Sequence, residues 1–191
     1  IFHQRGTNSM VMRRIKSVIP GFEELHLPPA IERLTRLHRG LVLITGTTGS
    51  GKSTSLASII DYINERRKCH IVTIEDPIEY THRDKQGVVN QREINIDTTS
   101  FSSALRAVMR QDPDVILVGE MRDLDTFQAA ISATETGHLV FTTLHTTNAM
   151  QTVDRIVDLF PTNQQDQVRS QLSMNLKAIV CQRLLPRASG T

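Results

Sequence analysis

The sequence has 191 residues, 39% hydrophobic and 22% charged, which suits one globular core and excludes a disordered or collagen-like chain. Its 22 Lys and Arg against 20 Asp and Glu leave a formal charge of +2, so the balance points to no polyanionic partner. The longest aliphatic runs, at 41–44 and 115–118, fall far short of the roughly 20 apolar residues that cross a bilayer, and Cys69 and Cys181 suggest neither a disulfide framework nor a zinc site. A reducing, cytoplasmic setting is expected.

The chain opens on IFHQR, without an initiator Met or a signal-peptide design, and reads as a cut inside a longer protein. Residues 9–15 have the composition of a strand. Pro20-Gly21 and Pro28-Pro29 mark a linker that leads into a short helix around Ile31, Leu34 and Leu37. Aliphatic runs then recur at 41–45, 71–74, 115–118 and 139–143, each about the length of a strand buried on both faces. Helical patterns fill the gaps. Leu56, Ile59, Ile60 and Ile63 lie at i, i+3, i+4, i+7 and form one apolar stripe. Ser100 is placed to cap a helix bearing Ala104, Leu105, Val108 and Met109 that ends before Pro113. Leu124, Phe127 and Ile131 predict the next helix, stopped at Gly137, and Asn148 caps another with Val153, Ile156, Val157 and Phe160. A last helix is predicted through Val168, Leu172, Leu176 and Ile179. Such alternation gives an α/β fold, a mostly parallel sheet covered on both faces.

Directly after the first aliphatic run stands GTTGSGKS, which fits the phosphate-loop pattern G-x-x-x-x-G-K-[ST] at every fixed position, between a strand and a helix. Wrapping a polyphosphate in backbone N–H groups needs glycines that let the main chain come close. The helix N-terminus adds partial positive charge, Lys52 reaches the β and γ phosphates, and the Ser53 hydroxyl suits Mg²⁺. Gly46, Thr47, Thr48, Gly49, Ser50, Gly51, Lys52, Ser53 and the following Thr54 are therefore the candidate nucleotide-binding residues. ATP with Mg²⁺ is the expected ligand.

Hydrolysis further requires carboxylates to orient or deprotonate water and to help hold the metal. Two acidic clusters lie just past the carboxyl ends of predicted strands, the edge where open α/β sheets bind ligands. One is Glu75, Asp76 and Glu79; the other is Glu120, which follows Gly119 where a Walker B strand ordinarily carries Asp. Glu120 either holds Mg²⁺ through water or serves as base. Ser53, Glu75, Asp76 and Glu120 are the candidate Mg²⁺ ligands. His138 and His145 flank the 139–143 run seven residues apart, too far for one metal; each either senses the γ-phosphate or is a structural cap. Arg106, Arg110 and Arg122 surround the third run, and Arg often stabilises γ-phosphate charge, from the same or a neighbouring subunit. Cys69-His70, at the opposite strand end, reads as structural.

Taken together these motifs resemble the secretion ATPases of type II secretion and type IV pili. Residues 73–80 (TIEDPIEY) are similar to that family's Asp box, 111–123 (QDPDVILVGEMRD) to its degenerate Walker B, and 136–146 (TGHLVFTTLHT) to its His box. The segments 119–123, 90–93 (NQRE) and 135–141 look most like the pilus-retraction members. The resemblance implies a RecA-like P-loop fold, a ring-shaped homohexamer and ATP hydrolysis at subunit interfaces that drives pilin loss from the pilus base. It implies that Glu79 and Glu120 act on water and Mg²⁺ and that His138 and His145 are functional; of the arginines round the third run, Arg110 and Arg122 are taken as the catalytic candidates. By the same match, 1–17 is the tail of a PAS-like N-terminal domain, 18–29 a linker and 30–191 the RecA-like domain, whose last helices would follow 184–187. The motor is expected to be cytoplasmic, docked on a platform protein at the inner face of the inner membrane. Pilus extension and type II secretion are the alternatives within the family. A RecA-like nucleic-acid motor is more distant, because six Phe, two Tyr and no Trp form no stacking series and the bases form no stripe.

Overall fold

The computed structural model describes residues 1–12 and 15–185. The chain begins with a hairpin of β1 (Phe2–Gln4) and β2 (Thr7–Ser9). Its two-residue turn, Arg5-Gly6, has φ of 50° and 77°, the positive values a tight hairpin turn requires. The strand predicted over residues 9–15 is therefore displaced: it ends at Ser9, and Arg13 and Arg14 lie outside the described residues. Residues 15–28 cross the surface and lead into α1 (Pro29–Thr35), where Pro29 occupies a first-turn position that loses no hydrogen bond.

The rest alternates as the aliphatic runs predict. In order come β3 (Gly40–Thr45), α2 (Lys52–Arg66), β4 (His70–Glu75), β5 (Val88–Glu93), α3 (Phe101–Val108) and β6 (Val115–Val118). Then follow α4 (Leu124–Glu135), β7 (Leu139–Leu144), α5 (Ala149–Val157), α6 (Gln165–Asn175) and β8 (Leu176–Cys181). Six strands form one parallel sheet in the order β5-β4-β6-β7-β3-β8. Side chains alternate along each strand, and that alternation divides the core in two. Val42 and Ile44 face Leu56, Ile59, Ile60 and Ile63 of α2, while Leu41 and Leu43 face the layer built from α3, α4, α5 and α6. In that second layer Phe127 and Phe160 meet edge to face, ring centroids 6.2 Å apart.

Capping follows the side chains. Ser100 Oγ accepts from Ser103 N–H, Asp123 from Thr126 N–H and Asn148 from Gln151 N–H, each at the start of a helix. Gly137, at φ 104°, turns the chain out of α4.

Two further elements depart from the sequence reading. The predicted last helix stops at Asn175, and Leu176 and Ile179 lie on β8, paired with β3. The other is β5, which carries no aliphatic run because it is the sheet edge, with Val88 exposed and its last four residues, Asn90 to Glu93, all polar. Its link to β4 is a twelve-residue loop, 76–87, long enough for a parallel crossover without a helix. Among the described residues no helix is long and apolar enough to cross a membrane. Residues 186–191 of the predicted ATPase domain lie outside the described ones.

Candidate nucleotide site

Between β3 and α2 the loop 46–51 is set by three glycines at positive φ, Gly46 (151°), Gly49 (78°) and Gly51 (88°). Gly46 has a second constraint. A Cβ there would collide with the Gln182 backbone oxygen, which β8 brings over the loop through a 2.7 Å bond from Gln182 N–H to Thr45 O. A Cβ on Gly51 would stand 2.9 Å from the Gln182 side-chain amide. Gln182 thus presses the loop into shape from behind. No residue pattern flagged it, because it directly follows a strand, β8, whose residues read as helix.

Lys52 is buried and folds back on the loop, its Nζ donating to Gly46 O at 2.9 Å and Thr47 O at 3.0 Å. Burial pulls its pKa below the ordinary lysine value, and the Glu120 and Glu79 carboxylates oppose that shift. The ammonium therefore sits where an anion would relieve its desolvation.

The Asp-box residues reach this loop across the sheet edge. Ser53 Oγ donates to Glu79 Oε1 at 3.1 Å. Asp76 is exposed in the same cleft. Glu75 does something else: its Oε1 accepts from Thr73 Oγ1 at 2.6 Å and Gln91 Nε2 at 3.1 Å, and burial raises its pKa. It braces the end of β4, so the structure pairs Ser53 with Glu79 and engages Glu75 elsewhere. Edge strand β5 holds the remainder of the turn. Gln91 donates to Tyr80 O at 2.9 Å and accepts from His82 N–H at 2.8 Å, and Glu93 accepts from Ile78 N–H at 3.0 Å.

Glu120 enters from the end of β6, next to Gly119, whose Cβ would lie 3.2 Å from Ile74 O. Glu120 pairs with Arg122 through Oε1 and stands 3.4 Å from His145 Nε2 through Oε2. β7, which lies between β6 and β3, delivers His145 at its carboxyl end, and Thr143 Oγ1 fixes Gly119 O at 2.7 Å. Lys52, Ser53, Glu79, Glu120, Arg122 and His145 thereby line one cleft of about 380 Å³.

Several predicted residues do not line it, among them His138, Arg106 and Arg110. His138 precedes β7 at the far end of a six-residue strand, about 20 Å from the cleft edge. Its Nδ1 is 2.8 Å from Ala133 O and 3.1 Å from Thr136 Oγ1, closing the end of α4. Arg110 is exposed just past α3 and does not line the cleft. Arg106 likewise faces outward, 3.4 Å from Ser102 Oγ. His70, at the opposite strand end, bonds Gln111 O and Asn90 Oδ1, which agrees with a structural role.

The family model described as type II/IV secretion system protein matches residues 7–190. The chain belongs to this family. Among secretion ATPases it is 51% identical over 189 residues to the type IV pilus retraction ATPase PilT of Pseudomonas aeruginosa, covering 99% of this chain and 55% of that protein. It is 54% identical over 180 residues to the twitching motility protein of Neisseria gonorrhoeae, covering 94% of this chain and 48% of that protein. A crystal structure of the pilus retraction motor PilT with bound ADP superposes with a TM-score of 0.91 at 57% identity, over 93% of this chain and 52% of the other. The chain spans about half the length of the curated relatives it matches. The RecA-like α/β fold of the secretion ATPases is thus present here.

Proposed function

We propose that this chain is the nucleotide-hydrolysing core of a motor that powers type IV pilus retraction. The observation that carries the reading is the convergence of Lys52, Ser53, Glu79 and Glu120 in one cleft at the carboxyl edge of the sheet. The direction of movement rests on the retraction and twitching names of the relatives.

On this reading the loop amides from Gly46 to Ser53 wrap the phosphates of ATP, and Lys52 leaves Gly46 O and Thr47 O for the β and γ phosphates. Mg²⁺ fits the donor set. Ser53, Glu79 and Asp76 offer the hard oxygens that Mg²⁺ takes beside phosphates and water. When bound, it would neutralise charge developing on the γ-phosphate. Glu120 holds the attacking water and takes its proton, while Arg122 and His145 fix the carboxylate. The reaction is ATP and water to ADP and phosphate. Arg110 can contribute only from a neighbouring subunit.

The working form is a homohexamer docked through a platform protein at the cytoplasmic face of the inner membrane, with no direct nucleic-acid contact. Residues 1–17 end a PAS-like domain, 18–29 are the linker and the RecA-like domain begins at 30. In the full-length protein, Lys52→Ala is expected to leave cells piliated and abolish twitching. Cells that still twitch would contradict the reading, and cells without pili would move it to extension.

A further inference from the structure

Tyr80 is 4% exposed, yet its phenol oxygen has two polar neighbours, Lys16 Nζ at 3.3 Å and Thr54 Oγ1 at 3.1 Å. The Lys16 ammonium also lies 5.2 Å from the centroid of the Tyr80 ring. An ammonium only donates, so the phenol oxygen accepts from Lys16, and of its two polar neighbours only Thr54 Oγ1 can accept the buried phenol hydrogen, which sets the direction of that bond. The Thr54 hydroxyl then keeps its own hydrogen for a further acceptor, and Thr54 lines the same cleft as Lys52. The backbone makes the link twice more. Lys16 N–H donates to Glu79 O at 3.1 Å, and Thr81 N–H donates to Lys16 O at 3.0 Å. One residue of the segment entering the core thus grips both flanks of Tyr80 and the backbone of Glu79.

We propose that Lys16 and Tyr80 are positioning residues that orient the Thr54 hydroxyl as a donor to a nucleotide phosphate, so that the segment before the core helps set nucleotide affinity. This rests on the reading of the cleft as an adenine-nucleotide site. A tyrosine that merely filled the core would leave nucleotide affinity independent of its hydroxyl.

The test is ADP binding to the purified full-length protein by calorimetry. Tyr80→Phe and Lys16→Met are each expected to weaken binding about fivefold, the size of one hydrogen bond. The pair is expected to weaken it no more than the worse single change, since both break one chain. Lys16→Arg, which keeps a donor, restores affinity. In a Thr54→Val background neither change has further effect. Unchanged affinity in Tyr80→Phe, or a further fivefold loss when Tyr80→Phe is added to Thr54→Val, overturns the proposal while leaving the site reading intact. If Tyr80→Phe does not fold, Lys16→Met with and without Thr54→Val makes the same comparison. Failure of the parent protein to bind ADP would overturn the nucleotide reading itself, and the proposal with it.

Discussion

Burial holds His82 far from its ordinary state. Its N–H is held by Gln91, but its Nδ1 is buried and unpartnered among the described residues, and burial lowers its pKa from 6.5 to about 4. Asp61 opposes that shift and Lys85 adds to it. Between pH 4 and 6.5 the unfolded chain therefore binds a proton that the folded protein refuses, and stability falls as pH drops through that window. A gap of this size is worth roughly 3 kcal/mol at most. Glu75, raised above 4.5, acts with the opposite sign, losing stability as pH rises, but it is common to parent and variant. His82→Asn is expected to flatten the acid limb of stability against pH in urea unfolding. Curves that run parallel to the parent's would contradict the assignment. At this scale the sequence was legible where a motif fixes the residue, as at Lys52, Ser53, Glu79 and Glu120. It was silent on His82, Gln91 and Gln182, whose roles come from burial and backbone contacts between distant segments. His138 stands before β7, at the strand end opposite the cleft, where its ring meets Ala133 O and Thr136 Oγ1.

At the scale of elements, the loop 76–87 does the work that a helix does in the other crossovers, and it is pinned to α2 by one side chain. Asn64 is fully buried; its Nδ2 donates to Arg83 O at 2.7 Å and its Oδ1 accepts from Lys85 N–H at 3.2 Å. Its own carbonyl accepts from Gln86 and Gly87. Lys85 adds ion pairs to Asp61 and Glu65 at 2.8 Å each, half-exposed and of small value. Asn64→Ala takes the donor from Arg83 O and leaves Lys85 N–H only Gly87 O at 3.2 Å, both at part-buried sites, so a loss of about 1–3 kcal/mol is expected, with faster hydrogen exchange over 83–87. A loss below about 1 kcal/mol would show that the loop is held by its ion pairs instead. From upstream, Phe22 stacks on Tyr62 of α2 at 4.6 Å, and the Arg66 guanidinium covers the same ring at 3.7 Å. The segment that read as a plain linker is therefore clamped to the core. The two misread elements share a cause. β5 is polar because it is an edge, and β8 carries apolar residues at a spacing that serves a helix as well as a strand, so only pairing with β3 decides it.

For the whole molecule, the alternation of buried strands and amphipathic helices was enough to give the parallel sheet and its two covering layers, because strands buried on both faces leave continuous aliphatic runs. Strand order was not in the pattern, and strand order is what places β7 between β3 and β6 and so carries His145 to Glu120. On the proposed reading this cleft hydrolyses ATP with Glu120 as the group that handles the water. Phosphate release by the purified full-length protein tests it most directly. Glu120→Gln is expected to bind ATP about as well as the parent while turnover falls roughly 10²–10⁴-fold. Turnover in Glu120→Gln within about twofold of the parent would contradict the account.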